Sequence, residues 1–107
     1  MRNIGELMKK AQTVQSQMNI LQTKMEKMEF EGVAGGGAVK ILMTGKGAPI
    51  KLTLDPVIVD KDDVETLEDL IVLAIRDSQE KAQTAMDAEM SRIQSSLGLP
   101  AGFKLPF

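Results

Sequence analysis

The sequence contains no cysteine, histidine, tryptophan or tyrosine. Without cysteine there is no disulfide framework, which fits a reducing compartment. Without histidine or cysteine the usual ligands of transition-metal sites are missing, and so is the commonest general base. Three phenylalanines are the whole aromatic content, so basic residues are not interleaved with rings on which single-stranded bases could stack. No stretch of about 18 apolar residues occurs, which excludes a membrane-spanning helix. The opening MRNIGELMKK lacks the apolar run of a signal peptide. A soluble, intracellular protein of one domain at most is expected from these 107 residues.

Catalytic patterns fail in the same way. Gly45-Lys46 is followed by Gly47, where a phosphate loop needs Ser or Thr, and the residue five before Gly45 is Lys40. The dinucleotide fingerprint, started at Gly35 or Gly45, meets Lys40 or Ile50 where its last glycine belongs. The carboxylates from Asp60 to Asp69 crowd a helix start, where a solvated cap accounts for them, and no EF-hand spacing occurs. Neither an enzyme nor a cofactor, metal or small-molecule substrate is expected.

What the chain does have is long-range apolar order. Ile4, Ala11, Met18 and Met25 fall on one heptad position, and Leu7, Val14, Leu21 and Met28 on the position three residues further on. Only an α-helix puts such a grid on one face. Asn3 followed by Glu6 reads as a capping box, so a helix is expected over about residues 3–29. Strands follow over about 30–34, 38–44 and 50–54. Val39, Ile41 and Met43 alternate with Lys40 and Leu42, and Ile50, Leu52 and Leu54 with Lys51 and Thr53. Gly35-Gly36-Gly37 and Gly45-Lys46-Gly47 supply the turns. Asp55-Pro56 closes the third strand.

A second helix is expected over about 62–97, starting near Asp62 with Glu65 three residues on. Its apolar face runs Val64, Leu67, Ile71, Ile75, Ser78, Ala82, Met86, Met90, Ile93, Leu97. Leu67, Leu70, Ile71, Leu73 and Ile75 suit a helix covering a sheet, whereas Ala74, Ala82, Ala85 and Ala88 suit close helix–helix approach. Residues 98–107 end in GLPAGFKLPF, apolar enough that docking on the body is expected. The fold class is α+β, with a long helix, a three-stranded antiparallel meander and a second long helix. At about 1.5 Å per residue each helix outreaches a compact domain of about 33 Å, so its seam requires another helix, a second copy of the chain, or both.

Charge is unevenly placed. The net charge is -2, yet residues 1–54 carry eight Lys or Arg against four acids, and residues 55–69 carry seven acids against Lys61. Arg2, Lys9, Lys10, Lys24 and Lys27 fall away from the first helix's seam, where they could meet phosphates without disturbing packing. The same lysines would also serve simply to keep a long helix soluble. Arg76, Lys81 and Arg92 on the second helix are further candidates for DNA contact. No recognition helix of helix-turn-helix form appears. The eight methionines read mainly as core, although Met18, Met25, Met28, Met86 and Met90 could instead line an adaptable client-binding surface. A prefoldin-like holdase is therefore the competing class, and it would recruit exposed apolar residues such as Ile20.

Several strings together resemble the YbaB/EbfC family of bacterial nucleoid-associated proteins. They are LMKKAQ with the Gln- and Met-rich helix after it, GGGAVK, LDP after the third strand, LEDLIVLAI, and the closing GLPAGFKLPF. The resemblance spans essentially the whole chain. It implies an elongated, tweezer-like homodimer in which the sheets join two subunits and the helices project as arms. It also implies binding to duplex DNA in the cytoplasmic nucleoid, with roles in nucleoid organisation and gene regulation. The candidate contacts Arg2, Lys9, Lys10, Lys24, Lys27, Arg76, Lys81 and Arg92 come from the charge map and not from a family motif.

Overall fold

A computed structural model describes residues 4–98. Helix α1 (Ile4–Lys27) leads into strands β1 (Glu29–Ala34), β2 (Val39–Thr44) and β3 (Pro49–Leu54), and helix α2 (Val64–Ser96) closes the order. The proposed Asn3 cap, the candidate Arg2 and residues 99–107 lie outside the described residues. The three strands form one antiparallel sheet in the order β1-β2-β3. This is the expected α+β meander between two long helices.

Local chemistry sets the boundaries. The N–H of Gly45, in the β2–β3 turn, donates to the carbonyls of Met25 and Met28 at 2.9 and 3.0 Å, satisfying the C-terminal end of α1. A Cβ on Gly45 would sit 2.6 Å from the Met25 carbonyl oxygen, so a larger residue could not approach this closely. The Gly35–Gly37 turn has φ angles of 61°, 66° and 96°, the left-handed region that glycine enters without a Cβ penalty. The Asp55 carboxylate accepts from the Val57 N–H at 3.0 Å, with Pro56 between them opening a short 3-10 turn.

The start of α2 differs from expectation. Its cap is Asp63, whose carboxylate accepts from the Thr66 hydroxyl at 2.9 Å and, more weakly, from the Thr66 N–H at 3.4 Å. Asp62 belongs to the preceding turn, its N–H donating to the Asp60 carboxylate at 2.9 Å.

Two apolar clusters divide the molecule. Beneath the first part of α2, Val39, Ile41, Met43 and Ala74 are buried, with Leu67, Leu70, Ile71 and Ile75 packed against them. Further along, Val14, Met18, Leu21 and Met25 of α1 meet Ala82 and Ile93 of α2, with Met86, Met90 and Leu97 beside them. The spacing of the alanines assigns Ala74 to a helix–helix seam. It belongs instead to the sheet cluster, because its small side chain lets α2 settle onto β1 at Gly32. A Cβ at Gly32 would run into the Ala74 carbonyl and lie 2.6 Å from the Ser78 nitrogen. Leu73, expected over the sheet, and Val64, expected on the apolar face of the helix, are half exposed on the flanks of α2, because Leu70 and Ala74 take the facing positions.

The close approach is fastened by polar bonds to β1. The Ser78 hydroxyl donates to the Phe30 carbonyl at 2.8 Å, the Val33 N–H donates to the Asp77 carboxylate at 3.0 Å, and the Lys81 ammonium donates to the Glu31 carbonyl at 2.8 Å. One edge of the sheet is thus covered by α2. The other edge, β3, receives no such cover among the described residues.

The chain is strongly elongated, 70 × 23 × 16 Å with a radius of gyration of 19.4 Å, against about 13 Å for a compact chain of this length. The excess comes from the helices. Met18, Leu21 and Met25 are buried in the inner half of the α1 seam, whereas Ile4 and Leu7 in its outer half are each 66% exposed.

Candidate nucleic-acid interface

The cations of α1 stand on its solvent side because they occupy the heptad positions left over by the seam. Lys9 and Lys10 sit in the outer half, before Val14, the first residue of the helix that is buried. Among the described residues neither side chain enters an ion pair, and the same holds for Lys27 and Arg76. Lys9 and Lys10 are thus two adjacent uncommitted positive charges on a rod with water around it.

The remaining candidates are engaged. The Lys24 ammonium lies 2.7 Å from the Glu89 carboxylate, and the Arg92 guanidinium reaches the same carboxylate at 3.3 Å. Lys81 pairs with Asp77 at 3.1 Å as well as holding the Glu31 carbonyl. Lys24, with Arg92 behind it, holds the Glu89 carboxyl below its ordinary range. The Val33 N–H, followed by Lys81, does the same for Asp77. Both acids are therefore charged at neutral pH and offset part of the field of their partners.

The eight positions do not form one patch. Lys9 and Lys10 lie toward one end of the long axis, Lys24 and Arg92 share the middle of the paired helices, and Lys81 lies against β1. Arg76 occupies the part of α2 that covers the sheet, and Lys27 is in the last turn of α1. Spacing could have exposed two of the pairings, since Glu89–Arg92 and Asp77–Lys81 are three and four apart on one helix. The Lys24–Glu89 pair spans 65 positions and has no local signature.

The sheet carries further cations. Lys40 faces away from α2, because its neighbours Val39 and Ile41 are buried against that helix. Lys51 pairs with Leu42 on the same outer face. Glu29 and Glu31 share that face, so its charge is mixed. On the α2 side, Leu52 pairs with the buried Ile41 and so points the same way, yet Leu52 and Ile50 are nearly half exposed. Val57 and Val59, in the turn that follows β3, are more exposed still. The apolar face of the sheet thus continues past the helix that covers it.

A shallow cleft lies where the end of α1, the β2–β3 turn and the middle of α2 meet. It is lined by Met25, Met43, Met86 and several glutamines, with Lys46 as its one charged residue. Among the described residues no three acids are grouped to hold a metal ion, and no helix is long and apolar enough to cross a membrane.

The sequence pattern of the YbaB/EbfC DNA-binding family matches residues 1–97. A nucleoid-associated protein of Rhodospirillum centenum is 46% identical over the full length of both chains. One of Paramagnetospirillum magneticum is 47% identical, again over all of both. Among solved structures, an uncharacterized protein of Helicobacter pylori matches with a TM-score of 0.65 at 17% identity, covering 77% of this chain and 95% of its own.

Proposed function

Because this chain belongs to the YbaB/EbfC DNA-binding family, we propose that it works as a nucleoid-associated homodimer that grips duplex DNA through phosphate contacts along its projecting helices. The observation that carries this reading is the pair of uncommitted lysines, Lys9 and Lys10, on the outer half of α1. Cations that are already extended and unpaired meet phosphates without first giving up a protein partner, and each phosphate neutralised releases counterions. Lys27 and Arg76 are available on the same terms. Lys24, Lys81 and Arg92 must first loosen their hold on Glu89 or Asp77.

The sheet supports the self-association in this reading. The β3 edge and the half-exposed Ile50 and Leu52 are what a second copy would cover, and pairing there removes an open strand edge from water. Two arms would then extend from a shared sheet, consistent with the tweezer shape the family resemblance implies. Weak sequence preference follows from contacts that read backbone and not base edges. Nucleoid organisation, gene regulation and a location on the bacterial nucleoid are parts of the same reading.

The decisive experiment is a salt-titrated DNA-binding measurement on the full chain and on a Lys9→Ala/Lys10→Ala variant. Log affinity should fall linearly with log salt, at a slope of about -0.9 per phosphate neutralised, and the variant's slope should be shallower by about two such contacts per subunit. The variant should weaken all duplex sequences alike. Salt-insensitive binding, or a loss confined to one sequence, would overturn the phosphate-contact mechanism. Exposure of Ile4, Leu7, Met8 and Ile20 favours the holdase reading instead. An aggregation assay with an unfolded client, run beside the DNA titration, separates the two.

A further inference from the structure

We propose that the outer face of the sheet is a second phosphate-contacting surface for duplex DNA, assembled when two copies pair along β3 and bring Lys40, Lys51 and Thr53 of both subunits together. The proposal rests on the reading of the chain as a duplex-binding homodimer, and it adds a surface to the arms.

The register of the sheet places these residues. Lys40 pairs with Val33 on one side and Thr53 on the other, and Leu42 pairs with Glu31 and Lys51. Both rows point away from α2, because Val39, Ile41 and Met43, which alternate with Lys40 and Leu42, are buried beneath that helix. Lys40, Lys51 and Thr53 are exposed, and among the described residues neither lysine enters an ion pair. The acids of this face, Glu29 and Glu31, both belong to β1. Charge is therefore sorted across the sheet, with acids on one edge strand and cations on the middle strand and on β3.

In a single chain that sorting achieves little, because Glu31 is a diagonal neighbour of Lys40 at about 7–8 Å and offsets its field. Pairing along β3 changes the balance. Residues opposite each other in an antiparallel pair share a face, and a two-fold axis sets one edge against itself. The outer faces of two copies then form one surface, with strands in the order β1-β2-β3-β3-β2-β1. Lysines occupy its middle strands, a band about 14 Å across at about 4.8 Å per strand, and the glutamates are left on the outermost ones. Glu31 is two strands from Lys51, about 10 Å, which exceeds the screening length of about 8 Å at physiological salt. The partner's β3 is one strand away.

That arrangement selects its occupant. Like charges brought side by side oppose pairing until a polyanion lies over them, and duplex DNA carries one phosphate charge per about 1.7 Å of its axis. The Thr53 hydroxyl, beside Lys40, can donate to a phosphate oxygen. Because the field belongs to the pair of chains, DNA binding and pairing strengthen each other.

Fluorescence anisotropy with duplex DNA across a salt series tests this on the full chain and on Lys40→Ala/Lys51→Ala. The variant should keep its dimer mass and helical circular dichroism and lose affinity at low salt. Its slope of log affinity against log salt should be shallower by up to about two contacts per subunit, each about -0.9. Lys40→Arg/Lys51→Arg should retain the parent's slope. Added to Leu52→Asp, which should hold the chain as a monomer, the alanine pair should cost much less affinity than in the dimer. Unchanged affinity and slope in the dimeric alanine variant overturn the proposal. So does an equal loss in monomer and dimer, because pairing would then contribute nothing, and so does a Leu52→Asp chain that stays dimeric. Loss of dimer mass in the alanine variant overturns it too, since the lysines would then serve the subunit contact. Failure of the arm reading shows separately, as an unaltered slope in Lys9→Ala/Lys10→Ala, and a parent chain that binds no duplex overturns both.

Discussion

Lys24 and Glu89, 65 positions apart in the chain, meet at 2.7 Å across the two long helices, and Arg92 reaches the same carboxylate at 3.3 Å. One acid thus links the two helices and holds back two of the cations proposed to meet DNA.

Glu89→Gln should release both cations while keeping the side chain's shape. Duplex DNA should bind more tightly at low salt, and the slope of log affinity against log salt should steepen by up to about two contacts per subunit, each worth about -0.9. Fluorescence anisotropy across a salt series measures both quantities. Unchanged affinity would place Lys24 and Arg92 outside the DNA contact.

Acidification should weaken the fold through Glu89 and Asp77. Their carboxyls are held below the ordinary range, Glu89 by Lys24 and Arg92, Asp77 by the Val33 N–H and Lys81. In the unfolded chain they take up protons more readily, so stability falls wherever the unfolded state binds more of them. The contribution is present above the ordinary carboxylate range and is lost as pH drops through and below it. Thermal midpoints across a pH series should fall less steeply in Asp77→Asn and Glu89→Gln than in the parent chain.

Gly32→Ala should be among the more damaging single methyl additions in the chain. The new Cβ would run into the Ala74 carbonyl and crowd the Ser78 nitrogen at 2.6 Å, and backbone cannot swing away as a flexible side chain can. Overpacking of this kind costs about 1–3 kcal/mol or more. Gly36→Ala meets nothing within 4 Å and loses only the freedom of its φ of 66°, for about 1–2 kcal/mol. Chemical denaturation of the two variants should rank them in that order.

Leu52→Asp should convert a dimer to a monomer with little effect on the monomer's fold. Leu52 is nearly half exposed although it pairs with the buried Ile41, so the charge would be costly only where a second copy covers it. Light scattering at micromolar concentration reads the mass, and circular dichroism reads the helices. An unchanged mass would move the subunit contact away from β3.

Much of this molecule was legible in the residues. The heptad grid from Ile4 to Met28 announced α1, alternation around Ile41 and Leu52 announced the meander, and Asp55-Pro56 marked its end. Such signals are local, because the period of a helix or strand is written into neighbouring side chains. Lys9 and Lys10 could likewise be placed off the seam by counting.

The heptads could not say how far the seam would be covered. All four repeats look alike in sequence, but α2 reaches only those from Val14 inward, because the sheet launches it from a fixed place and the helix ends at Ser96. The closeness of Gly32 to Ala74 and the commitment of Lys24 and Arg92 depend on the same placement. Periodicity assigns each residue to a face, whereas the occupant of that face is chosen by contacts between segments far apart in the chain, which no local pattern records.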